Sequence, residues 1–326
     1  MKPAYLLLAL HTIVLGGCAG GLDPNQTSFS VTFDPVTVAP GEERTQCVVK
    51  RLGNARALKL GTIHNHLGRT SHHLIVYRVS DTEEQATPFD CKPFRKILDP
   101  QAGAPLMVSQ REDDDLILPD GVAFALERDQ MIRLELHYVN ASLTPVEVSA
   151  TSTFGAIPDG VATQDADFLF VGTPDIELPP HAHATVGPSF FATPAVFDDV
   201  QFFGVTGHTH SRGTNVTVAT MAAAAGPEMA RVYDVPGWSY AEPATVYARP
   251  PFQVQAGGGF RFSCDYDNQT DATIRYGESV NAEMCIFWAY YYPSKGPHVC
   301  LTTSLLGDFC CPESADLCQL VSNLSN

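Results

Sequence analysis

Nine of the eleven histidines gather in five places: His64 with His66, His72 with His73, His137, His181 with His183, and His208 with His210. His11 and His298 stand apart. Imidazole is a common transition-metal ligand, and an i, i+2 pair on a β-strand points both rings to one face. In "VQFFGVTGHTHSRG", His208 and His210 can therefore grip one ion, with Thr206 beside them. In "MIRLELHYVN", Ile132, Leu134, Leu136 and Tyr138 make an apolar face, so Arg133, Glu135 and His137 are expected on the opposite, wetter face. "TSHHLIVYR" poses a problem, because a regular strand sends His72 and His73 in opposite directions. The two rings converge only if the strand twists or bulges at its entry, after Gly68 and Ser71. In "NAEMCIFWAYYYP", Met284, Ile286, Trp288 and Tyr290 share one face, and Cys285, Phe287 and Ala289 take the other. Taken alone, Met284 reads as core packing. Cys285 has Cys264 as its nearest candidate partner, closing a loop of about 20 residues worth ~3 kcal/mol on the chain-entropy model.

The elements that must position these side chains are strands. "FSVTF", "HLIVYRV", "MIRLELHYV", "DFLFVG", "NVTVATM" and "MCIFWAYYY" are runs of strand length between Pro, Gly, Asp and Asn turn clusters. With 44% apolar and 17% charged residues, 24 prolines and 25 glycines, the 326-residue chain reads as a folded, loop-rich, all-β protein of two antiparallel β-sandwich domains. The polar stretch "GAIPDGVATQDAD" divides it, giving an N-terminal sandwich over 29–158 and a C-terminal one over 159–302. Residues 303–326 read as a loop-like, disulfide-bearing tail. The start, "MKPAYLLLALHTIVLGGC", reads as a signal peptide over 1–17, with 18–28 as a tether. Its removal takes away one charged residue, Lys2, and moves the net charge from −16 to about −17, which disfavours nucleic acid and anionic lipid. Setting Cys18 aside leaves eight of nine cysteines, an even number that in an exported chain reads as up to four disulfides.

"LGGC" resembles the lipobox of bacterial lipoproteins, which implies lipidation at Cys18 and an exported protein anchored in the cell envelope or outer membrane; an ordinary secreted protein is the alternative. Taken in order, "HHLIV", "LELHYVN", "GHTHSRG" and "AEMCIFWAYYYP" resemble the ligand motifs of the copper type II, ascorbate-dependent monooxygenases, the group of peptidylglycine α-hydroxylating monooxygenase and dopamine β-monooxygenase. The intervals of 65 residues from His72 to His137 and 71 from His137 to His208 are of the family's size. The resemblance implies two coppers facing each other across a solvent-filled cleft, ascorbate or another one-electron reductant as co-substrate, and O2 with a small-molecule substrate as partners. His72, His73 and His137 would hold an electron-transfer copper. His208, His210 and Met284 would hold the copper at which a C–H bond is hydroxylated. Cys47–Cys91 and Cys264–Cys285 would be family disulfides, with Cys300, Cys310, Cys311 and Cys318 paired in an unassigned order. Donor chemistry agrees: imidazoles suit copper, and a thioether favours Cu(I) over zinc or a hard cation.

The departures bear on substrate. Thr206 stands where the peptide-amidating enzyme carries an arginine, and Ile286 and Trp288 stand where it has an asparagine and a tyrosine. A threonine cannot pair with a carboxylate as a guanidinium can, so Thr206, Ile286 and Trp288 are expected to line a pocket for a neutral or aromatic substrate. His64 and His66 read as a surface hairpin, and His181 and His183 as an exposed turn. Two other readings remain: an envelope protein that stores or delivers copper without turnover, and a structural lipoprotein with surface histidines. Six methionines are few for a copper store.

Overall fold

A computed structural model describes residues 25–91, 103–162, 164–277, 279–312, 314 and 316–318. The segments expected to be a signal peptide and most of a tether, with Cys18, lie outside the described residues. Strands carry the fold. The first half contains β1 (Ser28–Val38), β2 (Glu43–Arg51), β3 (Leu58–Leu67), β4 (Ser71–Val79), β5 (Gln85–Asp90) and β6 (Gly103–Ser109). It continues with β7 (Asp113–Ile117), β8 (Val122–Leu126), β9 (Met131–Val139), β10 (Val146–Ala156) and β11 (Gln164–Asp165). The second half contains β12 (Asp167–Thr173), β13 (Glu177–Leu178), β14 (Ala182–Ala192), β15 (Gln201–His208), β16 (Gly213–Met221) and β17 (Glu228–Asp234). It ends with β18 (Val246–Phe252), β19 (Gly259–Asn268), β20 (Ile274–Arg275), β21 (Cys285–Tyr292), β22 (His298–Thr303) and β23 (Gly307–Cys311).

The first sandwich packs the sheet β1-β10-β3-β8-β11, with β7 added to β3, on the sheet β5-β2-β9-β4-β6. The second packs β18-β15-β21-β12-β22-β23 on β14-β19-β16-β17, beside the small β13-β20 pair. Most pairings are antiparallel; β11 with β8 and β12 with β22 are parallel. The tail differs from the loop expected of it, since β23 pairs with β22 and closes the edge of the six-stranded sheet. The eight cysteines among the described residues are all paired: Cys47–Cys91, Cys264–Cys285, Cys300–Cys310 and Cys311–Cys318.

One sheet of the second sandwich is buried on both faces, and its sequence says why. In β21 the side chains of Cys285, Phe287, Ala289 and Tyr291 enter the core of their own sandwich with Val216, Val218, Phe260 and Phe262. Met284, Ile286, Trp288 and Tyr290 point the other way, into an apolar cluster that is continuous with the core of the first sandwich. β12 repeats the pattern, with Leu169 and Val171 inward and Phe168 and Phe170 toward the first sandwich. A strand covered on both faces needs a continuous apolar run, which "CIFWAYYY" supplies. Phe124 of β8 meets Tyr290 edge-on, with ring centroids 6.5 Å apart. Polar ties flank the apolar contact: Arg78 donates to Asp167 at 2.8 Å, and the Ser294 hydroxyl donates to the other oxygen of Asp167.

Phe124 is fully buried. Phe124→Ala should therefore lower stability by about 3–5 kcal/mol, measured by urea denaturation; a loss below about 1 kcal/mol would contradict the packing described.

Candidate metal centre

The adjacent histidines sit on a bulge. β4 pairs with β9 so that Ser71 faces Tyr138 and His73 faces His137, leaving His72 as the extra residue between them. Thr70, just before, has a φ of 71°, the left-handed turn that brings the chain into β4. With alternation broken at one residue, His72 and His73 turn to the same side. Their Nδ1 atoms lie 3.1 Å apart. The ring of His72 is 5.1 Å from that of His137, and the ring of His73 is 5.0 Å from it. Ligand-capable atoms of all three lie within 4.8 Å of one another, a spacing that three nitrogens each ~2 Å from one ion can adopt with small adjustments.

His137 is not on a wet face. It is 2% exposed and Glu135 is 1% exposed. The Cys47–Cys91 disulfide lies beside Glu135, whose carboxylate accepts from the Tyr77 hydroxyl, and the second sandwich closes over the histidines. Strand alternation separates two faces but does not say which face another domain will cover.

His208 ends β15 opposite Ile286 of β21, so the two share a face. Met284, two residues before Ile286 and buried at 1% exposure, belongs to the same apolar cluster as Ile286 and Trp288. His208 and His210 have ring centroids 5.4 Å apart. A fully buried carboxylate, Glu283, accepts from the backbone N–H groups of His210 and Arg212 and pins the turn that carries His210. Burial pushes the Glu283 carboxyl up to about 7, against the opposing effect of those two amides.

The two histidine sets are not separated by a solvent-filled cleft. The ring of His72 lies 5.8 Å from that of His210, so five imidazoles form one cluster beneath the interface. The dry contact made by Ile286, Trp288 and Tyr290 draws the sandwiches together. Thr206, Ile286 and Trp288, expected at a substrate pocket, are 1%, 3% and 2% exposed in this closed arrangement, and the Thr206 hydroxyl is paired with that of Thr245 at 2.8 Å.

Three rings show which nitrogen is offered to a ligand. His137 Nε2 donates to the Glu43 carboxylate at 3.0 Å, His208 Nδ1 donates to Gln110 Oε1 at 2.7 Å, and His210 Nδ1 donates to the carbonyl of Ala282 at 3.1 Å. The other nitrogens, His137 Nδ1, His208 Nε2 and His210 Nε2, are buried without a hydrogen-bond partner. A buried imidazole nitrogen without a partner costs free energy, and a ring with one nitrogen hydrogen-bonded and the other turned inward is the usual state of a metal-binding histidine. These donors fit copper. Sequence reading missed Glu43, Gln110 and Glu283. Only Glu283, next to Met284, lay inside a motif that drew attention.

Residues outside the two sets are kept apart from them. His64 and His66 pair on the surface with Asp115 and Asp113, and His181 with Asp271.

Residues 164–306 match the family model described as copper type II ascorbate-dependent monooxygenase, C-terminal domain. That match includes His208, His210 and Met284 and supports the copper type II ascorbate-dependent monooxygenase family. Among solved structures, the chain is similar to PNGase F, a glycosylasparaginase from Flavobacterium meningosepticum. The identity is 11% over 83% of this chain and 97% of that one, with a TM-score of 0.32. It is also similar to the VP2 subviral particle of infectious bursal disease virus, at 10% identity over 83% of this chain and 73% of that one, with a TM-score of 0.21. Scores this low carry no argument about either protein's chemistry.

Burial holds the imidazoles neutral in the metal-free protein. Desolvation, followed by the nearby rings of His137 and His210, lowers His72 to about 3; desolvation lowers His210 to about 4 and also lowers His73, His208 and His137. Because the folded-state values lie below the ordinary 6.5, the unfolded chain takes up protons first as pH falls. The stability these rings permit is complete above about pH 6.5 and declines toward pH 4, each ring costing at most about 1.4 kcal/mol per pH unit. The urea midpoint of metal-free protein should therefore fall between pH 7 and pH 5, the five rings together outweighing Glu283 and Asp114, whose raised carboxyls act in the opposite direction. His72→Gln with His210→Gln should flatten that slope, and an unchanged slope would contradict it.

Proposed function

We propose that the protein is a copper- and ascorbate-type monooxygenase that hydroxylates a C–H bond of a small neutral or aromatic substrate. The observation that carries this reading is the convergence of His72, His73, His137, His208 and His210, with three buried nitrogens left for a ligand, in a chain whose second half matches the copper monooxygenase model. His72, His73 and His137 would hold one copper, and His208, His210 and Met284 the other. When bound, copper would supply one-electron redox chemistry, through which O2, two electrons from an ascorbate-type reductant and two protons convert R–H to R–OH and water.

The protein's own groups would do the rest. Glu43, Gln110 and the Ala282 carbonyl hold protons on the outward nitrogens of three rings. The thioether of Met284 biases its site toward the reduced ion. The apolar contact around Trp288 excludes water. Thr206, already bonded to Thr245, offers no cation for a carboxylate, which disfavours peptidylglycine substrates. Ile286 and Trp288 are covered by the first sandwich, so a substrate would reach them by parting the interface. Export and a lipid anchor at Cys18 complete the reading, with O2 and a small molecule as partners.

The same burial favours a second reading, an envelope protein that stores or delivers copper without turnover, because no substrate-facing side chain of the Met284 face is exposed. Ascorbate-dependent O2 uptake with hydroxylated product separates the two. The purified protein should bind two coppers per chain by metal analysis, and binding of none would overturn both readings. Met284→Ile should abolish hydroxylation while the first-set copper remains, as read by one copper per chain; full activity would remove Met284 from the oxygen site.

A further inference from the structure

We propose that Gln110 is a positioning residue for the second histidine set: from the first sandwich, it holds His208 in the one tautomer and orientation that leave Nε2 for a metal. The inference rests on the copper reading and deepens it.

Gln110 follows β6 in the link to β7 and is 6% exposed. Its side-chain amide crosses to the second sandwich and makes two hydrogen bonds there. Nε2 donates to the backbone carbonyl of Tyr240 at 3.1 Å, and Oε1 meets His208 Nδ1 at 2.7 Å. The directions of these bonds are forced. A backbone carbonyl only accepts, so the NH2 end of the amide must face Tyr240. The oxygen end then faces the imidazole, and because it too only accepts, His208 Nδ1 must carry the ring proton. A neutral ring protonated at Nδ1 has its lone pair at Nε2, which is the buried nitrogen without a partner. One backbone carbonyl in the second sandwich thus fixes the tautomer of a histidine in that sandwich through a side chain of the first.

The other two rings take their partners from their own sandwich, although the Glu43 oxygen that meets His137 also accepts from the Val280 N–H of the second sandwich at 3.2 Å. His210 is set by the carbonyl of Ala282 and His137 by Glu43, each within its own half of the chain. Among these three, His208 alone takes the partner that sets its tautomer from the other sandwich. Undocking would free its ring to rotate and change tautomer, so the Met-containing site would be complete only while the sandwiches are together.

The test compares copper-loaded wild type with Gln110→Leu and Gln110→Glu, using Cu(I) competition against a chelator of known affinity and the Cu(II) electron paramagnetic resonance spectrum. Gln110→Leu should weaken the second site about 10–100-fold and shift its copper hyperfine splitting, with the first site unchanged. Gln110→Glu keeps an acceptor for Nδ1–H and should restore most of the affinity. Thermal midpoints of the metal-free variants identify any loss of folding. If Gln110→Leu does not fold, Gln110→Asn, which withdraws the acceptor by one methylene, should show the same weakening. Wild-type affinity and spectrum in a folded Leu or Asn variant would overturn the proposal, as would a Glu variant as weak as Leu. A wild-type protein that binds no copper would instead overturn the functional reading beneath it.

Discussion

The contact between the Met284–Ile286–Trp288–Tyr290 face and the first sandwich governs the rest of the structure. Because β12 and β21 are apolar on both faces, their sheet cannot be satisfied by its own sandwich alone. Burying the outer face against the first sandwich removes several large side chains from water at ~25 cal/mol per Å2 of apolar surface. That gain is set against the burial of polar groups at the same interface, among them Asp167, which is held by Arg78 and Ser294. The histidines lie beneath this contact, so the force that docks the sandwiches also dehydrates the imidazoles.

Dehydration has a chemical consequence. An imidazole in water bonds at both nitrogens and takes either tautomer. Here one nitrogen of His137, His208 and His210 is occupied by a fixed acceptor, and the other is turned into the cluster without a partner. Such rings are preorganised for an ion and resist protonation. The bulge at His72 adds a fourth and a fifth ring by turning two successive side chains to one side. A copper bound among these groups would be shielded from solvent by the Trp288 contact. Geometry, tautomer and dryness therefore share one origin in the packing of two sheets.

Much of the fold was legible along the chain. Period-two alternation in "CIFWAYYY" correctly separated Cys285, Phe287 and Ala289 from Met284, Ile286 and Trp288, and the even number of cysteines anticipated four disulfides. The same reasoning misplaced His137 on a wet face, because alternation carries no information about a second domain. It also treated the segment after Cys300 as a loop, although β23 completes a sheet edge through pairing with β22. Gln110 and Glu43 were not legible at all. Each lies in a polar stretch with no periodicity, and its role exists only through a partner far away in sequence.

By itself, the sequence determined the residue types and order of the two histidine sets, the alternation that puts His208, Ile286 and Met284 on one side, and the condition that adjacent histidines converge only through an irregular strand entry. These are local properties, set by strand period and by the chemistry of single side chains. Tertiary structure alone decided that the two sets meet, with His72 and His210 in ring contact, and that a glutamine of one sandwich fixes a histidine of the other. Those outcomes depend on which apolar face finds which partner, a choice made by the total surface buried and not by any one segment.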